Sequence, residues 1–432
     1  MVFTALLLLI LALILGIPVP FAFLASTVYI VTVGGYDPSF LLSSGYSKMS
    51  TVVLLAIPLF IMAGGIMERG NIGQKLIDLV ELFVGRIKGG LGAVAVVSCA
   101  VFGSITGSAC ATLSCIGSIM FPRLEKAGYP RGHCAALLAN SAILGILIPP
   151  SAIMILYSWV GGQSVLACFL ATVLPGVLLT IIFALLNMWM LKDNTTIVVA
   201  PRIEPAEFRR RLGKSTKLAI PALFLPVLVL GSIYGGLMTP TEAAAASVLY
   251  AIPVGMFVYR GLTLKSLGQV LIESGTTTGV VMVMLYSVMI LSRLYIMEDL
   301  PGELLRLLGS ITSSKVGILL MLNVFMVVLG MLMDDVSAVM LATPILLPIA
   351  QHIGVDPIHF AAILGVNLGM GNITPPCAPV LYLSGRLNGA AANESMMPTL
   401  KMIAFGWIPV LLVTTYWPDF SLFLPRLVLG AN

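Results

Sequence analysis

The amino-acid sequence predicts an all-α polytopic membrane protein with two inverted repeats, each pairing a re-entrant hairpin with a proline-broken helix. Three observations predict this. Of the 432 residues, 59% are hydrophobic and only 9% charged, where a globular domain carries about 25% charged residues. Apolar runs long enough to span hydrocarbon recur from end to end. Two proline pairs, Pro149-Pro150 in "LGILIPPSAIMILY" and Pro375-Pro376 in "GNITPPCAPVLY", interrupt such runs 226 residues apart.

In chain order, the first run, Phe3 to Val33, lacks a basic leading region and a small-residue cleavage site, so it is not a secretory signal. "GIPVP" leaves open whether it crosses once or breaks. "NIGQKLIDLVELFVGRIKG" puts Ile72, Leu76, Val80 and Phe83 on one helical face, away from Lys75, Asp78 and Arg86, as in an interfacial arm.

The repeat follows. An offset of 226 superposes Pro122 on Pro348, Gly128 on Gly354, His133 on His359, Leu138 on Leu364, Gly145 on Gly371 and Ala152 on Ala378. Upstream the offset becomes 227, pairing Lys88, Gly90 and Gly103 with Lys315, Gly317 and Gly330. The duplicated unit covers roughly 88–157 and 315–383. In each copy an apolar half-helix of about a dozen residues runs into a small polar tip, Gly103 to Ser108 or Gly330 to Ser337. A second half-helix then ends at Pro122 or Pro348. At ~1.5 Å per residue neither half spans a ~30 Å core, so the pair reads as a hairpin.

Between the units lie crossings near 133–160, 164–192, 217–237, 241–259 and 273–297. Five is odd, so the second unit enters from the opposite side. Charge agrees: Arg123, Lys126, Arg131, Arg209 to Arg211, Lys214, Lys217, Arg260 and Lys265 fall on one face, which the positive-inside rule makes cytoplasmic. Lys48, Arg306, Lys315 and Arg426 fall on the other.

Inverted repeats with Gly/Pro-interrupted helices point to a secondary transporter whose sites lie where the interruptions meet. Unwound carbonyls are tolerated only in protein or lining a cavity, where a cation can take them as ligands. Two or more Na⁺ are expected. One site joins Ser104, Thr106, Gly107 and Ser108 to Asn140, Gly145 and Ile148. The other joins Gly330 and Asp334 to Asn367, Gly371 and Thr374. The alternative is a pair of proline kinks that only shape packing.

Asp334-Asp335 lies at membrane depth, where carboxylates are costly and usually functional. Arg293 interrupts "VVMVMLYSVMILSRLYIM"; it either snorkels to the acidic loop beyond or holds an anionic substrate with its planar fork. Ser108, Asp335 and the breaks at Pro150 and Pro376 complete the expected substrate contacts. Glu242, after Thr-Pro-Thr, reads as a helix cap.

Other chemistries lack their residues. The six cysteines sit singly and read as buried free thiols. "RRRLGKST" has Phe208 where a phosphate loop needs glycine, so no nucleotide is expected. The basic loop is explained by topology without nucleic acid. An intramembrane aspartyl protease wants carboxylates on two facing helices, which adjacent Asp334 and Asp335 do not supply.

"GLMTPTEAAA", "FGSITGSACAT", "ILGILIPPS" and the "DD…GNITPP" region resemble the large membrane subunit of tripartite ATP-independent periplasmic (TRAP) transporters over the whole chain. The resemblance implies a Na⁺-driven importer in a bacterial or archaeal inner membrane, not an enzyme. A moving, elevator-type transport domain (88–160 and 315–385) would work against a scaffold (1–87 with the arm, 161–272 with the basic loop, and the linking helix and arm at 273–314), with 386–432 as a C-terminal helix. The implied partners are a small four-helix membrane subunit, expected as a separate chain, membrane lipid and a periplasmic binding protein that delivers an organic anion such as sialic acid, a C4-dicarboxylate or a sulfonate. A cation-coupled carrier acting alone is the other transport reading.

Overall fold

A computed structural model of the protein describes residues 1–84, 87–198 and 204–430; Arg86, placed above on the polar face of the arm, lies outside them. The described residues form helices. α1 (Val2–Ile14) and α2 (Val19–Gly34) pack on each other, so the first apolar run breaks at "GIPVP". α3 (Pro38–Met49), α4 (Ala56–Arg69) and the arm α5 (Ile72–Val84) follow. Next come α6 (Gly90–Thr106), α7 (Ala109–Lys126), α8 (Arg131–Ala142), α9 (Leu144–Leu147), α10 (Ala152–Gly161) and α11 (Val165–Met190). α12 (Pro205–Tyr234), α13 (Pro240–Pro253) and α14 (Leu264–Met297) lead to a second arm, α15 (Leu300–Ile311). The second repeat holds α16 (Lys315–Leu332), α17 (Asp335–His352), α18 (Pro357–Gly371), α19 (Pro379–Asn388), α20 (Ala392–Met402) and α21 (Ile408–Tyr416), and α22 (Pro418–Leu429) closes the chain.

Among the described residues, seven helical stretches are long and apolar enough to cross a membrane, and α8–α9 with α10 form an eighth, bent by 43° at the first proline pair. Helical stretches of spanning length and composition coincide with the five crossings expected between the repeats, the first of them being the bent pair. Both proline pairs are joined by a cis peptide bond.

The hairpins differ from expectation in length. α6 and α7 have 17 and 18 residues and α16 and α17 have 18 each. α16 is itself of spanning length, and the second helix runs on through Pro122 in one copy and through Pro344 and Pro348 in the other. A proline inside a helix surrounded by other helices is tolerated, since neighbours can satisfy the freed carbonyl. Thr239 and Glu242 form the predicted cap: the Thr239 amide donates to Glu242 Oε2 at 2.7 Å and the Glu242 amide to Thr239 Oγ1 at 3.3 Å. Of the cysteines, Cys110 and Cys377 are exposed rather than buried.

The repeat is wider than the sequence identities suggest. His133 is buried against Asn187 Oδ1 at 3.0 Å, and His359 against the Thr414 carbonyl at 2.6 Å; Asn187 lies on α11 and Thr414 on α21, 227 residues on. Before the hairpins, Asn71 and Asp299 are 228 residues apart and both left-handed, with φ of 57° and 50°, at the turns from α4 to α5 and from α14 to α15. Each repeat runs from one helix (α4, or the second half of α14) through an arm, a helix pair and a helix interrupted at the proline pair to a closing helix. α11, within the expected scaffold, packs on α6, α9, α10 and α18, and α20, within the expected C-terminal helix, packs on α8.

The hairpins meet the broken helices at backbone contact. A Cβ on Gly103 would lie 2.4 Å from Gly145 Cα, and one on Gly371 would lie 2.7 Å from Gly330 Cα. These two pairs are the repeat-related glycines of the sequence. Gly103→Ala and Gly371→Ala are each expected to destabilise the detergent-solubilised protein by about 1–3 kcal/mol through overpacking, read as a lower melting temperature. Gly268→Ala, whose Cβ meets nothing within 4 Å, should leave melting unchanged or raise it. Equal melting of the three variants would show that the contacts do not constrain the fold.

Candidate functional site

The tips of both hairpins open on one cavity of about 410 Å³. The first tip contributes Thr106, Gly107, Ser108 and Cys110, and the second Asp334, Asp335 and Val336. Opposite them stand Ile61, Gly64, Gly65 and Glu68 of α4 and Glu273, Ser274 and Thr277 of α14. Four carboxylates thus line it. Glu273 is paired with Arg69 at 2.5 Å, so the wall remains net negative.

Around the first break, Gly107 is left-handed at φ 60°, and a Cβ there would sit 2.8 Å from the Pro150 carbonyl oxygen. Only glycine lets the tip approach so closely. Pro149 and Pro150 lack the amides that would bond Gly145 and Ile146. The Thr106 and Thr112 hydroxyls are 2.9 Å apart, and Thr106 also donates to the Ser108 carbonyl at 3.4 Å. Ser151 Oγ is buried with no hydrogen-bond partner. Gly145 and the tip residues come together, with the Ser108 carbonyl oxygen 3.4 Å from where a Cβ on Gly145 would lie, whereas Ile148 packs on Gly176 and two side chains turn away. Asn140 directs its carboxamide elsewhere, donating to the Ala136 carbonyl at 2.8 Å and accepting from Trp407 Nε1 at 3.0 Å. Ser104 bonds back to the Val101 carbonyl at 2.7 Å.

The second break is more closed on itself. The Thr374 amide donates to the Gly371 carbonyl at 3.0 Å, and its hydroxyl to that of Met370 at 2.5 Å. Asn367 donates to Asn323 Oδ1 at 2.9 Å and to the Ile363 carbonyl at 2.8 Å, while its own Oδ1 is buried without a partner. Asp334 caps α17, accepting from the Val336 and Ser337 amides at 3.1 and 3.3 Å and from the Ser337 hydroxyl at 2.6 Å. Asp335 Oδ1 is buried and unpartnered.

The orphaned oxygens of Ser151, Asn367 and Asp335 are the kind of ligand that a hard monovalent cation takes. No group of three or more His, Cys, Asp or Glu with metal-binding geometry occurs among the described residues. Ser151 and Asn323 were missed by sequence reasoning. A serine directly after the proline pair was the available signal for the first.

The expected substrate contacts are divided. Ser108 and Asp335 line the cavity; Pro150 meets Gly107 through its carbonyl, since a proline has no amide to offer. Pro376 does not line the cavity, and its carbonyl accepts from Tyr382 at 2.7 Å. Arg293 is exposed near the far end of α14, its guanidinium 5.8 Å from the centre of the Phe40 ring. It stands in a second cavity of about 170 Å³ with Ser44, Lys48, Trp159, Met289, Ser292 and Pro344. Sixteen residues of helix separate it from Thr277, on the order of 24 Å of rise.

The two roles open to Asp334 predict different variants. As a helix cap, Asp334→Ser keeps an acceptor and Asp334→Ala loses about 0.5–2 kcal/mol, so amide exchange at Val336 and Ser337 should quicken only in the alanine variant. Equal exchange in both would remove the capping role.

The sequence pattern described as "Tripartite ATP-independent periplasmic transporter, DctM component" matches residues 5–420. The C4-dicarboxylate TRAP transporter large permease protein of Pseudomonas aeruginosa is 34% identical over 86% of either chain. The sialic acid TRAP transporter large permease protein of Vibrio cholerae is 31% identical over 96% of both. The isethionate TRAP transporter permease protein of Oleidesulfovibrio alaskensis is 32% identical over 95% of this chain, which spans 64% of that relative. Among solved structures, the Alcanivorax borkumensis YdaH transporter superposes with a TM-score of 0.58 at 15% identity, over 90% of this chain and 88% of its own; at that identity the likeness concerns the fold alone.

Proposed function

We propose, from the premise that this chain belongs to the DctM component family of tripartite ATP-independent periplasmic transporters, that it carries an organic anion inward through a bacterial inner membrane, coupled to Na⁺, by an elevator movement. The family is one of transporter permeases, so the chain is not an enzyme. A TRAP system implies a small membrane subunit and a periplasmic binding protein as partners. The relatives' substrates make a carboxylate or a sulfonate the expected class of anion.

The observation that carries this reading is that both hairpin tips face one cavity against α4 and α14. A transport domain of hairpins and broken helices, locked together by the glycine contacts, can move as a unit past the scaffold helices. By the positive-inside assignment the cavity lies in the cytoplasmic half of α14, so this is the inward-facing arrangement.

Sodium coupling is supported by charge. An anion entering a cavity lined by Glu68, Glu273, Asp334 and Asp335 meets like charge, and one unit pair at 4 Å in water costs about 1 kcal/mol. Bound Na⁺ supplies the compensating charge, which makes cation binding a condition for anion binding. In the first repeat the Gly145 carbonyl, the Ser151 hydroxyl and the tip around Ser108 would hold the ion. In the second, Asn367 Oδ1 is the oxygen left open. The tip amides and the Ser108 hydroxyl orient the anion.

In proteoliposomes holding the chain with its small subunit and loaded binding protein, uptake of succinate, isethionate or N-acetylneuraminate should require an inward Na⁺ gradient and be indifferent to ATP. Ser151→Ala and Ser108→Ala should each raise the half-saturating Na⁺ concentration severalfold, a lost ligand oxygen costing about 1 kcal/mol. Equal uptake in choline buffer contradicts the coupling. Uptake without the binding protein favours a carrier acting alone.

A further inference from the structure

The cavity at Arg293 is the repeat-related counterpart of the tip cavity. Adding 228 to Ile61, Gly64, Gly65 and Glu68 gives Met289, Ser292, Arg293 and Ile296. All four line the second cavity, just as the first four line the first. The offset is that of the left-handed pair Asn71 and Asp299. α3 stands to α4 as the first half of α14 stands to its second half. One residue further along, Ser44 and Lys48 fall on Glu273 and Thr277, again wall for wall. α10 and α17 bridge the two levels: Ala152 and Asp335 line the lower cavity, and Trp159 and Pro344 the upper.

The two walls share their architecture and differ in charge. On the lower wall Glu68 and Glu273 are acidic, with Arg69 paired to Glu273. On the upper wall their counterparts Ile296 and Ser44 are neutral, while Gly65 and Thr277 become Arg293 and Lys48. Neither Lys48 nor Arg293 has an ion-pair partner among the described residues. Phe40 lies against the Arg293 guanidinium, an arrangement that leaves a cation in place without neutralising it.

The geometry points to a second anion-binding site, built by Lys48 and Arg293 with the Ser44 and Ser292 hydroxyls and the Trp159 indole, that receives a carboxylate or sulfonate at the periplasmic end of the scaffold. It rests on the elevator reading above. When the transport domain stands at the upper level, the tips face this basic wall; when it descends, they face the acidic one. The anion is thus held by the scaffold on the side of capture and repelled by it on the side of release. A cleft lined by one sign of charge concentrates its counter-charge. Arg293 then contacts substrate in the outward arrangement and is remote from it in the inward one, which accounts for its distance from the tips.

The test compares two thiol reagents of similar size and opposite charge, sulfonatoethyl and trimethylammonioethyl methanethiosulfonate. The protein carries Ser44→Cys with Cys110 and Cys377 changed to Ser, with and without Lys48→Gln and Arg293→Gln. At about 6 Å in water each charge changes the ratio of sulfonate to ammonium rates roughly tenfold, so the ratio should fall roughly a hundredfold when both charges are removed. In a companion protein that keeps Ser44 and Cys110 and changes only Cys377 to Ser, Cys110 on the acidic wall should favour the ammonium reagent and be indifferent to Lys48→Gln and Arg293→Gln. In the proteoliposome assay the double variant should raise half-saturation roughly tenfold on the side the binding protein serves and leave the opposite side unchanged. An unchanged rate ratio overturns the site, as does a Ser44→Cys thiol that reacts with neither reagent, or an equal rise on both sides. If wild-type protein takes up none of the three anions, the transport reading fails, and the thiol rates still decide whether this wall binds anions.

Discussion

Backbone contact between each hairpin and its broken helix is the constraint on which the rest depends. Gly103 against Gly145, and Gly330 against Gly371, bring two main chains closer than any side chain permits. The contact places each tip beside a stretch whose carbonyls the prolines have deprived of donors. Lipid cannot satisfy such carbonyls; at the second break the Thr374 and Val380 amides take those of Gly371 and Asn372, and at the first the tip covers them or a cation can use them. A substitution that pushed the glycines apart would therefore disturb packing and ion ligation together.

From that contact follows a division of labour. Hairpins, broken helices and the closing helices α11 and α20–α21 make one packed body, with His133 and His359 each tying a broken helix to its closing helix. α4 and α14 present a long wall to it. On the proposed elevator reading, the tips carry Asp334 and Asp335 with them, so an anion that accompanies them needs cations beside it, and the wall would set the sign of the surroundings at each end of the stroke.

Much of this was legible in the sequence. The proline pairs, the repeat offset, the five intervening crossings and the Thr-Pro-Thr-Glu cap are local signals with local causes. What escaped was set at a distance. Asn140 looked like a ligand until Trp407, 267 residues away, took its carbonyl oxygen. Pro122 and Pro348 looked like helix ends, but surrounding helices allow the turns to continue. The scaffold half of the repeat was invisible because its pairs, such as Gly65 with Arg293 and Glu68 with Ile296, share position and not identity. That same divergence is what separates the two walls in charge.

The central claim is that the hairpin body travels between two levels of one wall. Distance measurement by electron paramagnetic resonance between spin labels at Leu387→Cys on the moving body and Phe257→Cys on the scaffold, both exposed, tests it most directly, with Cys110 and Cys377 replaced by Ser. The spacing of Ala152 and Trp159 along α10 and of Thr277 and Arg293 along α14, which line the two levels, brackets the expected change between about 10 and about 24 Å. The account predicts two populations whose ratio shifts with Na⁺ and the delivered anion. A single distance, unchanged across those conditions in protein that transports, would contradict it.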